Sequence, residues 1–274
     1  TVKSFMSREA GLTVRYVFEP LPGLSHARNS GVRESQGKIL AFLDDDVVLP
    51  CDWLTEVRNA FEQYDPACVG GRVLLHENGP RPSWWDEAYD GAVGKFDRGT
   101  SVILYGENDE QMVGIGANLA FKRIVFEKYG LFRSDLGKKE KEPTTGEETE
   151  MVERLRKQKE RIIYYPKVLV YHCPSPERFS KRYLWQHFYG LGQWNFVNEL
   201  DTTNPCPRIL GIPRWRYRLV LAEAWKAVLL GLRGRHTEAF TRQLQISFFL
   251  GYLKAALNSR KRAQSSIPLR QELE

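Results

Sequence analysis

The sequence predicts an α/β protein, a mostly parallel sheet flanked by helices and followed by a C-terminal helical extension. Three observations carry this expectation. A β-branched and aromatic run at residues 13–19 and an apolar run at 38–43 bracket a helical segment, the strand–helix–strand spacing of a parallel unit. The second run ends in three aspartates, so acids sit at a strand's carboxyl end, where open α/β sheets bind ligands. Beyond Pro176 the apolar spacing becomes helical and the charge becomes basic.

Taken in order, Thr13 to Glu19 alternates as a strand does and is closed by Pro20 and Pro22-Gly23. Ser25 is the expected N-cap of a helix through Ala27-Arg28-Asn29, with Gly37 as its stop. Lys38 to Leu43 reads as a continuous apolar strand of the buried kind. Pro50 opens a helix carrying Trp53, Leu54, Val57 and Phe61 on one face. Ala67 to Leu75 is a third strand; His76 to Gly116, rich in Gly, Pro and Trp, reads as a long functional loop or a small insertion. Phe121 to Tyr129 is expected as a short helix, Ser134 to Thr145 as a charged loop, and Glu147 to Lys159 as a helix with Met151, Val152 and Leu155 inward. Arg161 to Tyr165 and Lys167 to His172 are expected as two short strands around Pro166. Phe179, Tyr183, Leu184, Phe188 and Leu191 then recur at helical spacing, and further helices cover Trp215 to Leu232 and Phe240 to Leu257.

At 274 residues, 42% hydrophobic and 27% charged, the chain has ample material for a core, which excludes a disordered chain, a collagen-like repeat and a small disulfide scaffold. The net charge of +6 hides an asymmetry. Residues 1–175 hold 24 Lys and Arg against 27 Asp and Glu, while residues 176–274 hold 16 against 7. Two regions are therefore expected, a catalytic domain over 1–175 and a basic, aromatic-rich helical region over 176–274. Cys51, Cys68, Cys173 and Cys206 show no CxxC spacing, so a zinc knuckle is not indicated and a reduced, cytoplasmic setting is the default. No run of ~18 uncharged apolar residues is present to span a bilayer.

Asp44-Asp45-Asp46 is the first candidate for chemistry. Three adjacent carboxylates repel one another, so a hard divalent cation or solvent must reconcile them, and Mg²⁺ or Mn²⁺ commonly bridges such groups to substrate phosphates. Glu147-Glu148-Thr149-Glu150 opens a helix, where acids also complement the macrodipole without any catalytic role. Arg28 and Asn29 lie near the start of their helix, where an arginine can meet phosphates or simply face solvent.

In order and spacing, Gly23-Leu24-Ser25-His26-Ala27-Arg28-Asn29-Ser30-Gly31, then Ala41-Phe42-Leu43-Asp44-Asp45-Asp46, Gly114-Ile115-Gly116-Ala117-Asn118, Gly146-Glu147-Glu148-Thr149-Glu150 and Tyr171-His172 resemble family 2 glycosyltransferases of the GT-A fold. The resemblance spans residues 14–190 and implies a GT-A-like sheet, a nucleotide-sugar donor, a divalent metal on its diphosphate, and transfer to an acceptor hydroxyl with inversion. It implies Asp46 and His172 as metal ligands, Asp44 or Asp45 towards the ribose, and Arg28 and Asn29 on the donor. It further implies Gly116 and Asn118 on the acceptor or donor-sugar side, and Glu148 as general base. The family's usual base is Asp, so Glu147 and Glu150 stand beside Glu148 as alternatives. Trp84 and Trp85 are expected in packing more than on a sugar ring.

The basic tail, with Trp215, Tyr217, Leu219, Val220, Trp225 and Leu229 among Arg214, Arg216, Arg218 and Lys226, resembles a helix lying on anionic lipid. Ordinary helix–helix packing is the alternative. The acceptor implied is a saccharide or a lipid-linked saccharide, in polysaccharide or glycolipid synthesis, and the enzyme would sit peripherally on the inner face of the cell membrane. The rival is a non-catalytic chain of the same fold serving as a membrane-bound partner; nucleic-acid binding is not expected, since no nucleic-acid motif accompanies the charge. The resemblance also raises the expectation that nucleotide-binding strands normally found ahead of the Ala27-Arg28-Asn29 run are missing, because only 26 residues precede Ala27.

Overall fold

The computed structural model describes residues 13–76, 81–106, 112–136, 146–200 and 206–265. They fall into two compact units. One contains the sheet and takes in residues up to Leu74, Phe96–Glu142 and Gly146–His172; the other is helical and contains Leu75–Lys95 and Cys173–Glu274. The division lies between His172 and Cys173, close to Ser175, but residues 75–95 join the helical unit, which composition along the chain did not reveal.

In the sheet unit, helix α1 (Leu24–Glu34) is followed by β1 (Ile39–Leu43), β2 (Val47–Val48), α2 (Trp53–Tyr64) and β3 (Cys68–Leu75). Then come β4 (Ile103–Tyr105), β5 (Asn118–Lys122), α3 (Arg123–Tyr129), α4 (Glu147–Lys157) and β6 (Ile162–His172). The strand order is β1-β5-β3-β6-β2, with β4 also on β6. The α/β architecture is the expected one; the strand directions are not. Every pairing whose register is described, β1 with β5, β3 with β5, β2 with β6 and β4 with β6, is antiparallel. Residues 13–19 lie outside any strand, with Tyr16, Val17 and Phe18 exposed. An apolar run such as Ile39–Leu43 suits either direction, and nothing in its composition distinguishes them.

Three further differences have local causes. The segment read as a helix from Phe121 begins as β5, because Leu119, Ala120 and Phe121 are buried among other strands, and turns helical only at Arg123. Pro166 does not divide β6: β4 pairs with Ile162–Tyr164 and β2 with Tyr171 and His172, so the proline occupies the gap between these partners, where no ladder donor is needed on that edge. On α2, Trp53, Val57, Ala60 and Phe61 are buried while Leu54 points outward. The core beneath α3 is a cluster of Phe42, Phe121, Phe126 and Phe132, with centroids 5.3–6.0 Å apart and mostly edge-to-face.

The helical unit holds a 3₁₀ turn (Glu87–Val93), α5 (Lys181–Leu200), the short hairpin β7 (Arg208–Ile209) and β8 (Ile212–Pro213), α6 (Arg214–Leu232) and α7 (His236–Ser265). Phe179 lies just before α5 and packs on Trp85. Trp84, Trp85 and Tyr89 pack with Leu184, Phe240 and Leu244, so both tryptophans serve packing. Buried Asp90 accepts hydrogen bonds from Arg81, Trp85 and Lys95 and thereby pins the 3₁₀ turn. Helices α5 and α7 approach through glycines: a Cβ on Gly192 would lie 1.9 Å from the Phe248 carbonyl oxygen, and one on Gly251 would lie 1.9 Å from that of Tyr189. Gly251→Ala is therefore expected to destabilise the protein by ~1–3 kcal/mol. Gly231→Ala on α6, where a Cβ meets nothing within 4 Å, should be neutral or stabilising by up to ~1 kcal/mol. Thermal melts of the two variants check the pair.

Candidate active site

Helix α1 buries Ser25, Arg28, Asn29 and Val32, spaced at i, i+3, i+4 and i+7, so its inward stripe is mostly polar and must find partners inside the protein. It does. Ser25 donates to the Leu136 carbonyl at 2.6 Å, and the Asn29 amide clamps Phe132, donating to its carbonyl at 2.8 Å and accepting from its N–H at 3.0 Å. Asn29, expected on the donor, is committed to this backbone clamp. The helix starts at Leu24 after Gly23, without Ser25 as its cap.

Arg28 is 8% exposed and lies among three carboxylates. Its Nη1 donates to Glu147, lies 3.7 Å from Glu148, and its Nη2 lies 3.8 Å from Asp44. The Phe132 ring lies 6.0 Å from the guanidinium. Gly116 completes the enclosure, since a Cβ there would meet Arg28 Nη2 at 2.0 Å. Arg28 thus sits buried among the acids, and Gly116 leaves the space it fills.

Glu147 and Glu148 come from the first turn of α4, whose N-cap Gly146 has φ 109°, a left-handed conformation that favours glycine. Their roles differ by burial. Glu147 is 2% exposed, and burial, reinforced by the neighbouring Glu148 charge and opposed by Arg28, pushes its carboxyl up to about 7. Glu148 retains some exposure and borders a small cavity of about 30 Å³ lined by Met112, Val113, Gly114, Thr149 and Val152. That volume suits a single water. In the cavity wall, Gly114 opens the Gly114-to-Asn118 run, while Met112 and Val113 fall in a stretch with no periodicity that no sequence signal marks.

The three aspartates separate into three environments. Asp44 turns towards Arg28, and burial raises its carboxyl's pKa against the opposing Arg28 charge. Asp45 is exposed. Asp46 meets His172, with Nε2 and Oδ1 3.2 Å apart. Strand register fixes this last contact: Val47 on β2 is the Cα partner of His172 on β6, so the residue before Val47 lies beside the histidine, and a one-residue slip would turn His172 to the other face.

The Asp46–His172 pair fits a hard divalent cation. Neighbouring ligands on an octahedral ion with ~2.1 Å bonds are ~3 Å apart, close to the separation observed. Among the described residues no group of three or more His, Cys, Asp or Glu is arranged to hold a metal. Sites of this kind are completed by substrate phosphates and water.

Asn118 does not line a ligand surface. Its amide donates to the carbonyls of Arg72 at 3.0 Å and Val168 at 2.8 Å and accepts from Trp53 Nε1 at 3.2 Å, tying β5 to β3, β6 and α2. A pocket of about 500 Å³ beside Lys38, Phe61, Lys122 and Arg123 contains none of these residues.

A mixed sheet flanked by helices is also the fold of a solved glycosyltransferase, and sequence relatives point the same way. Residues 2–130 match the sequence model of the family described as glycosyl transferase family 2. Over 187 residues the chain is 30% identical to the succinoglycan biosynthesis protein ExoM of Rhizobium meliloti, covering 68% of this chain and 56% of that protein. Over 153 residues it is 29% identical to glucosyl-dolichyl phosphate glucuronosyltransferase of Haloferax volcanii, covering 55% and 47%. The chain thus spans about half the length of these curated relatives. In fold it is similar to the mannosyltransferase PcManGT of Pyrobaculum calidifontis in complex with GDP-Man and Mn²⁺, with TM-score 0.50, 17% identity, and coverage of 86% of this chain and 67% of that one. The family match takes in Arg28, the three aspartates and Asn118.

The Glu147 carboxyl gives a testable pH dependence. Its folded pKa, about 7, lies above its ordinary value of 4.5, so between these values the folded chain holds a proton that the unfolded chain has released. Stability from this group therefore falls as pH rises through that window. Melting from pH 4.5 to 8 should show the decline, and Glu147→Gln, which cannot ionise, should flatten it.

Proposed function

We propose that the protein is an inverting, metal-dependent glycosyltransferase that moves a sugar from a nucleotide-sugar donor to an acceptor hydroxyl in polysaccharide or glycolipid synthesis. The observation that carries the reading is the convergence, in one sheet unit, of the Asp46–His172 pair with the Arg28–Glu147–Glu148–Asp44 cluster. Asp46 and His172 would hold Mn²⁺ or Mg²⁺. Bound there, the ion supplies Lewis-acid stabilisation of the charge that accumulates on a departing nucleoside diphosphate.

The remaining roles belong to the chain's own side chains. Glu148, at the cavity, is the base that takes the acceptor hydroxyl's proton as the glycosidic bond forms. Glu147, buried and bound to Arg28, positions it. Arg28 holds Glu147, Glu148 and Asp44 together and keeps their mutual repulsion from spreading the site. Asp45, the exposed member of the triplet, is free to face the donor's ribose, with Asp44 the alternative. Inversion follows from a single displacement, since one base on the acceptor side requires no covalent sugar on the protein.

The PcManGT complex with GDP-Man and Mn²⁺ supports a nucleotide-sugar donor with a divalent ion, and the names of the two relatives support a lipid-linked or polysaccharide acceptor. Such acceptors support a peripheral position on the inner face of the cell membrane.

A screen of nucleotide sugars with Mn²⁺, reading nucleoside diphosphate release, tests the reading: turnover of at least one donor is expected, and none across the panel would contradict it. Asp46→Ala and His172→Ala should each abolish Mn²⁺-dependent nucleoside diphosphate binding in calorimetry while the fold persists. Glu148→Gln should keep that binding and lose ~10²–10⁴-fold in transfer. If Glu147→Gln shows the larger loss instead, the base is Glu147.

A further inference from the structure

Helix α6 buries one side and leaves the other bare. Arg216, Glu223 and Ala227 form its buried line. Arg216 donates to Asn195 and Glu199 and stacks on Tyr252, and Glu223 is held by Lys226 and Arg242, so the helix's one carboxylate is turned inward. On the opposite line Leu221, Trp225, Val228 and Leu232 follow at i, i+4, i+7 and i+11, with exposures of 69%, 65%, 54% and 81%. Scattered exposed apolar residues are ordinary; four large ones on one helical line form a patch that calls for a partner.

The charge around the stripe indicates which partner. Exposed Arg214 and Arg218 continue the same line towards the helix N-terminus, and Arg233 and Arg235 follow its end, so cations bracket the apolar stripe. The helix is ~27 Å long at 1.5 Å per residue, enough to set both arginine groups on a surface at once. Ile209 and Leu210, exposed in the β7–β8 turn, and half-exposed Trp215 add apolar surface just before it. No described helix is long and apolar enough to cross a membrane. An apolar line with a tryptophan, cationic ends and no outward acid of its own, the exposed Glu238 just beyond being paired with Arg235, has the composition of a helix that lies in the plane of an anionic bilayer.

We propose that the outer face of α6 is a docking surface for anionic lipid, with Leu221, Trp225, Val228 and Leu232 seated at the headgroup boundary and Arg214, Arg218 and Arg233 against lipid phosphates. Arg216 takes no part. This deepens the membrane placement proposed above and rests on no donor or metal chemistry, so either can fail without the other.

The test is flotation of the full chain with vesicles of phosphatidylcholine, with or without phosphatidylglycerol. Recovery with the anionic vesicles only is expected. Leu221→Glu with Trp225→Glu, and separately Arg214→Glu with Arg218→Glu, should each lower it about tenfold or more, with unchanged melts because all four side chains are exposed. Brominated lipid should quench tryptophan emission in the parent chain and less in Trp225→Phe, a substitution that keeps the apolar surface. Equal recovery with both vesicle types, recovery with neither, or a dimer that the Leu221→Glu, Trp225→Glu variant converts to monomer while vesicle binding is unchanged would each overturn the proposal.

Discussion

The Arg28 guanidinium, enclosed by Asp44, Glu147 and Glu148, is the interaction on which the rest of the site depends. One cation faces three acids, so the cluster carries more negative charge than it can cancel internally. Part of that excess is absorbed by the proton Glu147 retains, and burial of Asp44 pushes in the same direction. Such an arrangement is costly for stability, because a buried charge left without its partner costs several kcal/mol. The fold accepts it through several coordinated features: glycine at 116, the Phe132 ring, and an Asn29 clamp that holds Phe132 in place. In this chain Arg28 contacts the acids, Gly116 leaves space for it, and Asn29 holds Phe132 beside it.

A second constraint sets the Asp46–His172 pair. Asp46 and His172 are far apart in sequence and come from the turn just before a two-residue strand and the end of an eleven-residue one, yet the β2–β6 register brings them together. The Asn118 amide reinforces this by binding the Arg72 and Val168 carbonyls on the two neighbouring strands. A strand end and the turn leading into its neighbour therefore carry the proposed metal ligands, and a helix N-terminus carries the proposed base. The division suits the chemistry, since the ion needs fixed geometry while a glutamate has an extra rotatable bond with which to follow a proton.

The residue types and spacings that mark the site were legible in the sequence because the chemistry requires acids in particular places: Asp44 to Asp46 after an apolar strand, Glu147 and Glu148 at a helix start. Which acid does what was not legible, because that depends on burial. Glu147 and Glu148 are neighbours of identical type, and only the direction of each side chain separates the bound one from the available one. Strand direction was hidden for the same reason: β1 pairs with β5, a segment whose Phe121 to Tyr129 pattern reads as helical, and the partner appears only in three dimensions. On α6 the spacing showed an amphipathic helix, but Arg216, which reads as one more surface cation, is buried against Tyr252 and Glu199. The allegiance of residues 75–95 likewise rests on Trp84 and Tyr89 reaching Phe240, a contact across a long sequence separation.

The most direct test of the central role of Arg28 is a double-mutant cycle for folding stability between Arg28→Met and Glu147→Gln at neutral pH. If the guanidinium is held in place chiefly by this buried pair, the two changes should couple by ~1–3 kcal/mol, and the double variant should be more stable than the sum of the single losses implies. Additive losses, with no coupling beyond ~0.5 kcal/mol, would show that Arg28 and Glu147 are held independently and would contradict the organisation described here.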